Sequence, residues 1–131
     1  DAGADVIAMH QDSTAAGERA EAAGIRWVSY NSDMSAFAPN AFLTAPVWDW
    51  CDRYTQIINE AADGTYSGGA WWGSMADGVV DLAPIADDVS GEIKDLVAEK
   101  KAAIEDGSFH PFTGPINAQD GSVLVAAGST K

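Results

Sequence analysis

Polar and aromatic side chains follow three predicted strands at the points where those strands end. They are His10, Gln11, Asp12, Asn31, Asp33 and Trp48. Because ligands of an open parallel sheet bind beyond the carboxyl ends of its strands, we expect these side chains to lie at one edge of a sheet. Together they offer donors, acceptors and a flat aromatic face, which suits a small polar molecule with a ring.

Each of these residues also has a purely structural explanation. Asp12 precedes a predicted helix and is a competent N-cap. Asn31 and Asp33 lie in a polar turn, where Asn and Asp often bond to the local backbone. Trp48 is as suited to packing as to stacking on a ligand, and His10 could simply end a strand. The sequence leaves both explanations open.

Nucleophilic or metal chemistry has little support. Cys51 is the single cysteine, it lies next to Trp50, and neither histidine stands beside it in a catalytic motif. Phosphate-binding glycine loops of the Gly-x-Gly-x-x-Gly or Walker type are absent from the sequence. We therefore expect a non-catalytic protein with no metal and no cofactor.

The elements that would position the candidate residues alternate between strand and helix. Strands are predicted at 6–9, 25–30, 42–48 and 78–84, with Pro46 marking an edge or a crossing point in the third. Helices are predicted to end at Gly24, near Gly64 and at Gly107, and a hairpin turns at 119–121. The first strand is continuously apolar, as if it were covered on both faces. This alternation predicts an α/β fold with a parallel sheet.

Charge and length limit the function further. The 131 residues carry 20 acidic and 7 basic side chains, a formal net charge of -13, so a nucleic-acid partner is not expected. No apolar run approaches the ~20 residues that cross a bilayer. The chain begins Asp1-Ala2-Gly3 without Met and continues directly into a strand, and we expect it to be part of a longer protein.

Several strings, in order, resemble the C-terminal part of the BMP (basic membrane protein) family. The most specific are His10-Gln11-Asp12-Ser13-Thr14-Ala15, Tyr30-Asn31-Ser32-Asp33-Met34, Trp48-Asp49-Trp50, Trp72-Gly73-Ser74-Met75, the segment 77–84 and the segment 106–116. The resemblance implies a type 1 periplasmic binding fold, in which two α/β lobes enclose the ligand. The N-terminal lobe would then lie outside this chain.

The resemblance also implies a division of the chain. Residues 1–48 would belong to the C-terminal lobe, 49–72 would carry a crossover helix of the N-terminal lobe, and 73–131 would return to the C-terminal lobe. That helix should then expose its apolar stripe in this chain, because the sheet it covers would be missing.

In function, the resemblance implies the solute-binding component of an ABC importer, which captures a purine base or nucleoside and is recognised by a permease. Such proteins are periplasmic or cell-surface lipoproteins, with a lipid anchor on the missing N-terminus. The six candidate residues would bind the ligand.

This sequence departs from the family at two positions. It has Asn31 where many relatives have Asp, and Ala76 where nucleoside-binding relatives tend to have Lys. Because an amide donates as well as accepts, Asn31 implies a different ligand edge. Ala76 favours a free base or another small aromatic heterocycle over a nucleoside. A sugar ligand is the alternative within the same fold, and a nucleoside or glycoside hydrolase using Asp12 or Asp33 is the alternative from another class.

Overall fold

A computed structural model describes residues 3–130, in which three short strands form a parallel sheet. Strands β1 (Val6–Ala8), β2 (Arg26–Val28) and β3 (Phe42–Thr44) lie in the order β1-β2-β3, and both pairings are parallel. Helix α1 (Ala15–Ala23) connects β1 to β2. The predicted strand-helix-strand unit and the α/β class are therefore confirmed.

Helix α1 begins and ends close to the predicted positions, but its start is not capped as expected. Gly24 follows the helix in the left-handed conformation with φ 66°, and its N–H donates to backbone carbonyls of the last turn. At the other end Thr14 occupies the N-cap position without a capping side-chain hydrogen bond. Asp12 does not cap α1, because its carboxylate bonds elsewhere.

The buried core lies beneath this sheet and is centred on Trp27 of β2. Trp27 is fully buried together with Ala20 of α1, and its ring meets Phe42 edge to face with centroids 6.2 Å apart. Gly17 of α1 packs directly against the indole, so that a Cβ there would overlap the ring. The glycine thus permits the helix to lie on the sheet at this distance.

One face of β1 is less covered than its apolar sequence predicts. Ile7 packs against the core, whereas Val6 and Ala8, which point to the opposite face, are exposed. Continuous apolar character indicates a strand that can be buried on both faces. In the described residues only one of those faces is covered.

The predicted third strand is two strands in two sheets, so the prediction of one continuous strand was wrong. The chain leaves the parallel sheet at the buried Ala45, and Pro46 begins β4 (Pro46–Trp48), which pairs antiparallel with β5 (Val80–Leu82). Pro46 therefore stands where the chain crosses between sheets, as its inability to donate a backbone hydrogen bond predicts.

Helix α2 (Cys51–Ala62) exposes the apolar stripe that the sequence predicts. No residue of α2 is buried, and Tyr54 and Ile58 are 59% and 66% exposed. Among residues 3–130 no helix is both long and apolar enough to cross a membrane.

The chain divides into two compact units, the first reaching Lys94 and the second beginning at Asp95. Helix α3 (Gly91–Glu105) contains this boundary. In the second unit, β6 (Ile116–Asn117) and β7 (Val123–Val125) pair antiparallel around a turn in which Asp120 accepts the Ser122 N–H. The predicted hairpin is confirmed.

Gly17→Ala is expected to destabilise the protein by about 1–3 kcal/mol, because the added methyl group would overlap the Trp27 ring in a packed core. Chemical denaturation followed by tryptophan fluorescence measures the free energy of unfolding. Gly91→Ala is the matched control, since a Cβ at that helical glycine meets nothing within 4 Å. Equal stability of the two variants would contradict the packing described here.

The ion pair between Arg26 and Asp88 should make stability depend on pH. Arg26 Nη2 lies 2.9 Å from Asp88 Oδ1 and Nη1 lies 2.5 Å from Oδ2, and this hydrogen bonding lowers the pKa of Asp88. Because the pKa of Asp88 is lower in the folded state, the ion pair stabilises the protein fully at any pH above the unfolded-state pKa. This stabilisation is lost as the pH falls through the folded-state pKa.

The unfolding midpoint of the unsubstituted protein should consequently fall more steeply under acid titration than that of Asp88→Asn, while the variant is less stable at neutral pH. Asp87→Asn, one residue away, should follow the unsubstituted protein. If the unfolding midpoints of the unsubstituted protein and of Asp88→Asn fell equally with pH, the ion pair would contribute nothing to stability.

Candidate functional site

Three of the six predicted residues form a hydrogen-bonded chain at the carboxyl end of β2. Asn31 Nδ2 donates to Asp12 Oδ1 at 2.5 Å, and Trp48 Nε1 donates to Asn31 Oδ1. Asp12 follows β1, Asn31 follows β2 and Trp48 closes β4. The rule that side chains converge beyond the strand ends thus holds for these three.

Asn31 lies at the centre of this chain because of an unusual backbone turn. Its φ is 74°, and the N–H of Ser32 donates to the carbonyl of Tyr30 at 2.9 Å, which closes a tight three-residue turn around it. Asn adopts positive φ more readily than most residues. Asn31 also forms a parallel bridge with Val47, so its backbone is tied to β4.

A row of aromatic rings runs beside the hydrogen-bonded chain. The rings of His10 and Tyr30 are 4.3 Å apart between centroids, and Tyr30 meets Trp48 edge to face at 6.2 Å. Sequence reasoning placed His10 and Trp48 here but did not single out Tyr30. Its position in the sequence could have indicated it, because Tyr30 directly precedes Asn31 in the segment that follows β2.

The candidate residues do not border one common concavity. A polar groove of about 550 Å³ is lined by the segments 12–14 and 31–34 together with Phe37. Trp48 lines a separate aromatic concavity of about 300 Å³ with Trp50, Trp71, Trp72 and β5. Asn31, bonded to Trp48, stands between the two.

Two predicted residues take little part in these contacts. The Asp33 carboxylate accepts the backbone N–H of Ser35 at 2.9 Å, which is the local turn bonding that the sequence left open. Gln11 is exposed between His10 and Asp12. They lie next to the hydrogen-bonded chain without belonging to it.

The aromatic concavity is reinforced by helix α2. Trp50 stacks with Tyr54 at 6.1 Å and meets Trp71 edge to face at 6.3 Å, while the guanidinium of Arg53 lies 5.0 Å over the Trp71 ring. A cation over an indole is attracted to the ring's negative face. These contacts hold Trp71 beside the concavity although 37% of its surface is exposed.

The electrostatics around Cys51 argue against a nucleophile. Asp49 Oδ1 accepts the backbone N–H of Cys51 at 2.9 Å, and the hydrogen bond and negative charge of Asp49 raise the pKa of the Cys51 thiol. A reactive thiol needs the opposite shift. Within residues 3–130 no group of His, Cys, Asp and Glu side chains could hold a metal ion.

With this geometry in place, comparison with known proteins identifies the family. Residues 1–113 match the family described as Bmp, ABC transporter substrate-binding protein PnrA-like. The match covers most of the chain, and the chain belongs to this family. Its proteins are substrate-binding proteins of ABC transporters and have a periplasmic binding protein fold.

Two relatives share substantial sequence identity with the chain. A purine-binding protein of Brucella abortus is 43% identical over 98% of this chain and 36% of its own length. A protein of Haloferax volcanii, provisionally named as an ABC transporter glucose-binding protein, is 36% identical over 87% of this chain and 29% of its own length. The chain thus spans about a third of the length of these relatives.

A solved structure confirms the fold. The crystal structure of a transcriptional activator of the comK gene from Bacillus halodurans aligns with a TM-score of 0.71 over 82% of this chain and 38% of that chain. At 20% sequence identity the similarity concerns the fold alone.

Neutralising Asp49 should make Cys51 more reactive. In Asp49→Asn the amide oxygen can still accept the Cys51 N–H, but the negative charge that raises the thiol pKa is gone. We expect alkylation by iodoacetamide at mildly alkaline pH to become severalfold faster, measured by mass spectrometry on this single cysteine. Asp63→Asn, at the far end of α2, should leave the rate unchanged, and a slower reaction in Asp49→Asn would contradict this view of the thiol.

Proposed function

We propose that this chain supplies part of the ligand site of an ABC importer's solute-binding component, and that the ligand is a purine base or a nucleoside. The observation that carries the proposal is the row of hydrogen bonds that joins Asp12, Asn31 and Trp48. It puts a carboxylate, an amide and an indole side by side. Membership of the substrate-binding family and the 43% identity to a purine-binding relative support it.

The side chains of this region match the chemistry of a purine. Trp48 has 37% of its surface exposed and offers a planar ring against which a base can stack. The Asp12 carboxylate only accepts hydrogen bonds, and a purine base presents N–H donors along its edge. His10, Gln11 and Asp33 complete the proposed set of ligand-binding residues, and Asn31 joins Asp12 to Trp48 within it. Ala76, an exposed residue without a donor, favours a base over a nucleoside.

The rest of the ligand site belongs, in this proposal, to a second lobe. Residues 1–48 and 73–131 are assigned to the C-terminal lobe, and 49–72 to the N-terminal lobe. The exposed apolar face of α2, with Tyr54 and Ile58, supports this assignment, since a sheet from outside this chain would cover it. The ligand would bind between the lobes, and the permease would recognise the closed form.

The same proposal places the protein on the outer side of a membrane. An importer's binding component must meet its solute before transport, so a periplasmic or cell-surface location follows from the proposed role. A lipid anchor on a segment preceding this chain would keep it near the permease.

A sugar is the second candidate ligand. The observation that favours it is the 36% identity to the Haloferax relative, whose provisional name specifies glucose. A tryptophan ring and neighbouring carboxylate and amide groups can stack on and bond a sugar as well as a base.

Isothermal calorimetry of the complete gene product against adenine, xanthine, guanosine, ribose and glucose tests these alternatives. We expect heat with at least one free base, a weaker response to guanosine and none to ribose. Asp12→Asn should weaken the affinity on the order of tenfold, because a charged acceptor becomes neutral. Asp95→Asn on α3 is the matched control and should bind normally.

Binding of glucose or ribose without any purine would replace the purine proposal with the sugar one. Chromatography of the ligand after incubation should return it unchanged. Release of free base from guanosine would instead support a hydrolase.

A further inference from the structure

The amide of Asn31 is bonded on both sides by groups of the protein. Its Oδ1 accepts from the Trp48 indole and its Nδ2 donates to the Asp12 carboxylate. An indole N–H only donates and a carboxylate only accepts, so the amide has a single orientation that satisfies both partners. The bond to Asp12 is assisted by charge and is among the stronger kinds of hydrogen bond. These two hydrogen bonds fix the side chain of Asn31 as a bridge between Asp12 and Trp48.

Trp48 depends on this bridge for its position. Its indole has one polar hydrogen, and Asn31 uses it. The ring is otherwise held by the edge of Tyr30 and remains 37% exposed at the wall of the aromatic concavity. What Trp48 can still present to a ligand is the face of its ring.

The backbone of Asn31 is as firmly placed as its side chain. The tight turn with φ 74° and the bridge to Val47 bring it between the loop after β1 and the end of β4. An alanine there would combine loss of the amide with an unfavourable backbone conformation, whereas glycine adopts positive φ freely. Glycine therefore removes the side chain without straining the backbone, although it makes the backbone more flexible.

The geometry points to Asn31 as a positioning residue, which acts on the ligand through Trp48 and does not itself bind the ligand. Resting on the proposed function, this inference deepens it: Asp12 and Trp48 would meet the ligand, and Asn31 would hold the indole at the angle that stacking requires. An ionised Asp at position 31 could not donate to Asp12, so this bridge needs an amide.

A double-mutant cycle on ligand affinity tests this role. Asn31→Gly should weaken binding of the purine that gives the largest heat by on the order of tenfold, as the loss of a charge-assisted bond would. Trp48→Phe removes the indole N–H, and Asn31→Gly added to it should then cost clearly less than in the unsubstituted protein, because the indole no longer depends on Asn31 and only the bond to Asp12 remains to be lost. If the fold losses of affinity from the two substitutions simply multiply in the double variant, the inference is overturned, since Asn31 would then act on ligand binding independently of Trp48.

A second measurement needs no ligand. In a spectrum of the protein carrying ¹⁵N-labelled tryptophan, the indole N–H resonance of Trp48 is identified as the one missing from Trp48→Phe. We expect Asn31→Gly to shift this resonance upfield and speed its exchange with water. Ser32→Gly, a glycine substitution at the next residue, should leave it in place and serves as the control for loop flexibility.

The two measurements separate the two proposals. An unchanged Trp48 resonance in Asn31→Gly would overturn the positioning role whatever the ligand. If no purine and no sugar binds while the resonance shifts as expected, the proposed function fails and the bridge between Asn31 and Trp48 stands.

Discussion

The packing of Trp27 against Gly17 is the contact on which the rest of the first unit depends. A fully buried indole in the middle strand must fit between α1 and β3, and only a residue without a side chain leaves room for it on the helix. This contact sets the distance between helix and sheet. It also places the end of β2, so Tyr30 and Asn31 emerge where the loops after β1 and β4 can meet them.

Asn31 links two sheets that no strand pairing joins. The parallel sheet of β1, β2 and β3 and the antiparallel pair of β4 and β5 have separate ladders, and the chain passes between them at Ala45 and Pro46. The side chain of Asn31 adds a bond to each side, and its backbone bridge to Val47 adds a third connection. Asn31 therefore connects the loop after β1, the loop after β2 and the end of β4.

Exposed aromatic surface is concentrated on and beside α2. The stacked Trp50 and Tyr54 lie on or next to the helix, and Trp72 is 93% exposed. An exposed and contiguous apolar face of this kind is typical of a surface that contacts another protein segment. The chain spans about a third of its relatives' length.

Local features of the chain were determined by the sequence alone. Alternating strands and helices, helix α1 ending at Gly24, the amphipathic helix α2 and the final hairpin were all predicted, because each follows from periodicity or turn chemistry over a few neighbouring residues. The exposure of the α2 stripe was expected only from the family resemblance. The rule that polar side chains converge beyond strand ends also anticipated the contact of Asp12, Asn31 and Trp48. Only the tertiary structure decided that one predicted strand is two, that Asp12 bonds Asn31 instead of capping α1, and that Tyr30 joins the aromatic row. The physical reason is distance along the chain: Asn31 lies 19 residues from Asp12 and 17 from Trp48, so their contact depends on the packing of strands that local patterns do not encode.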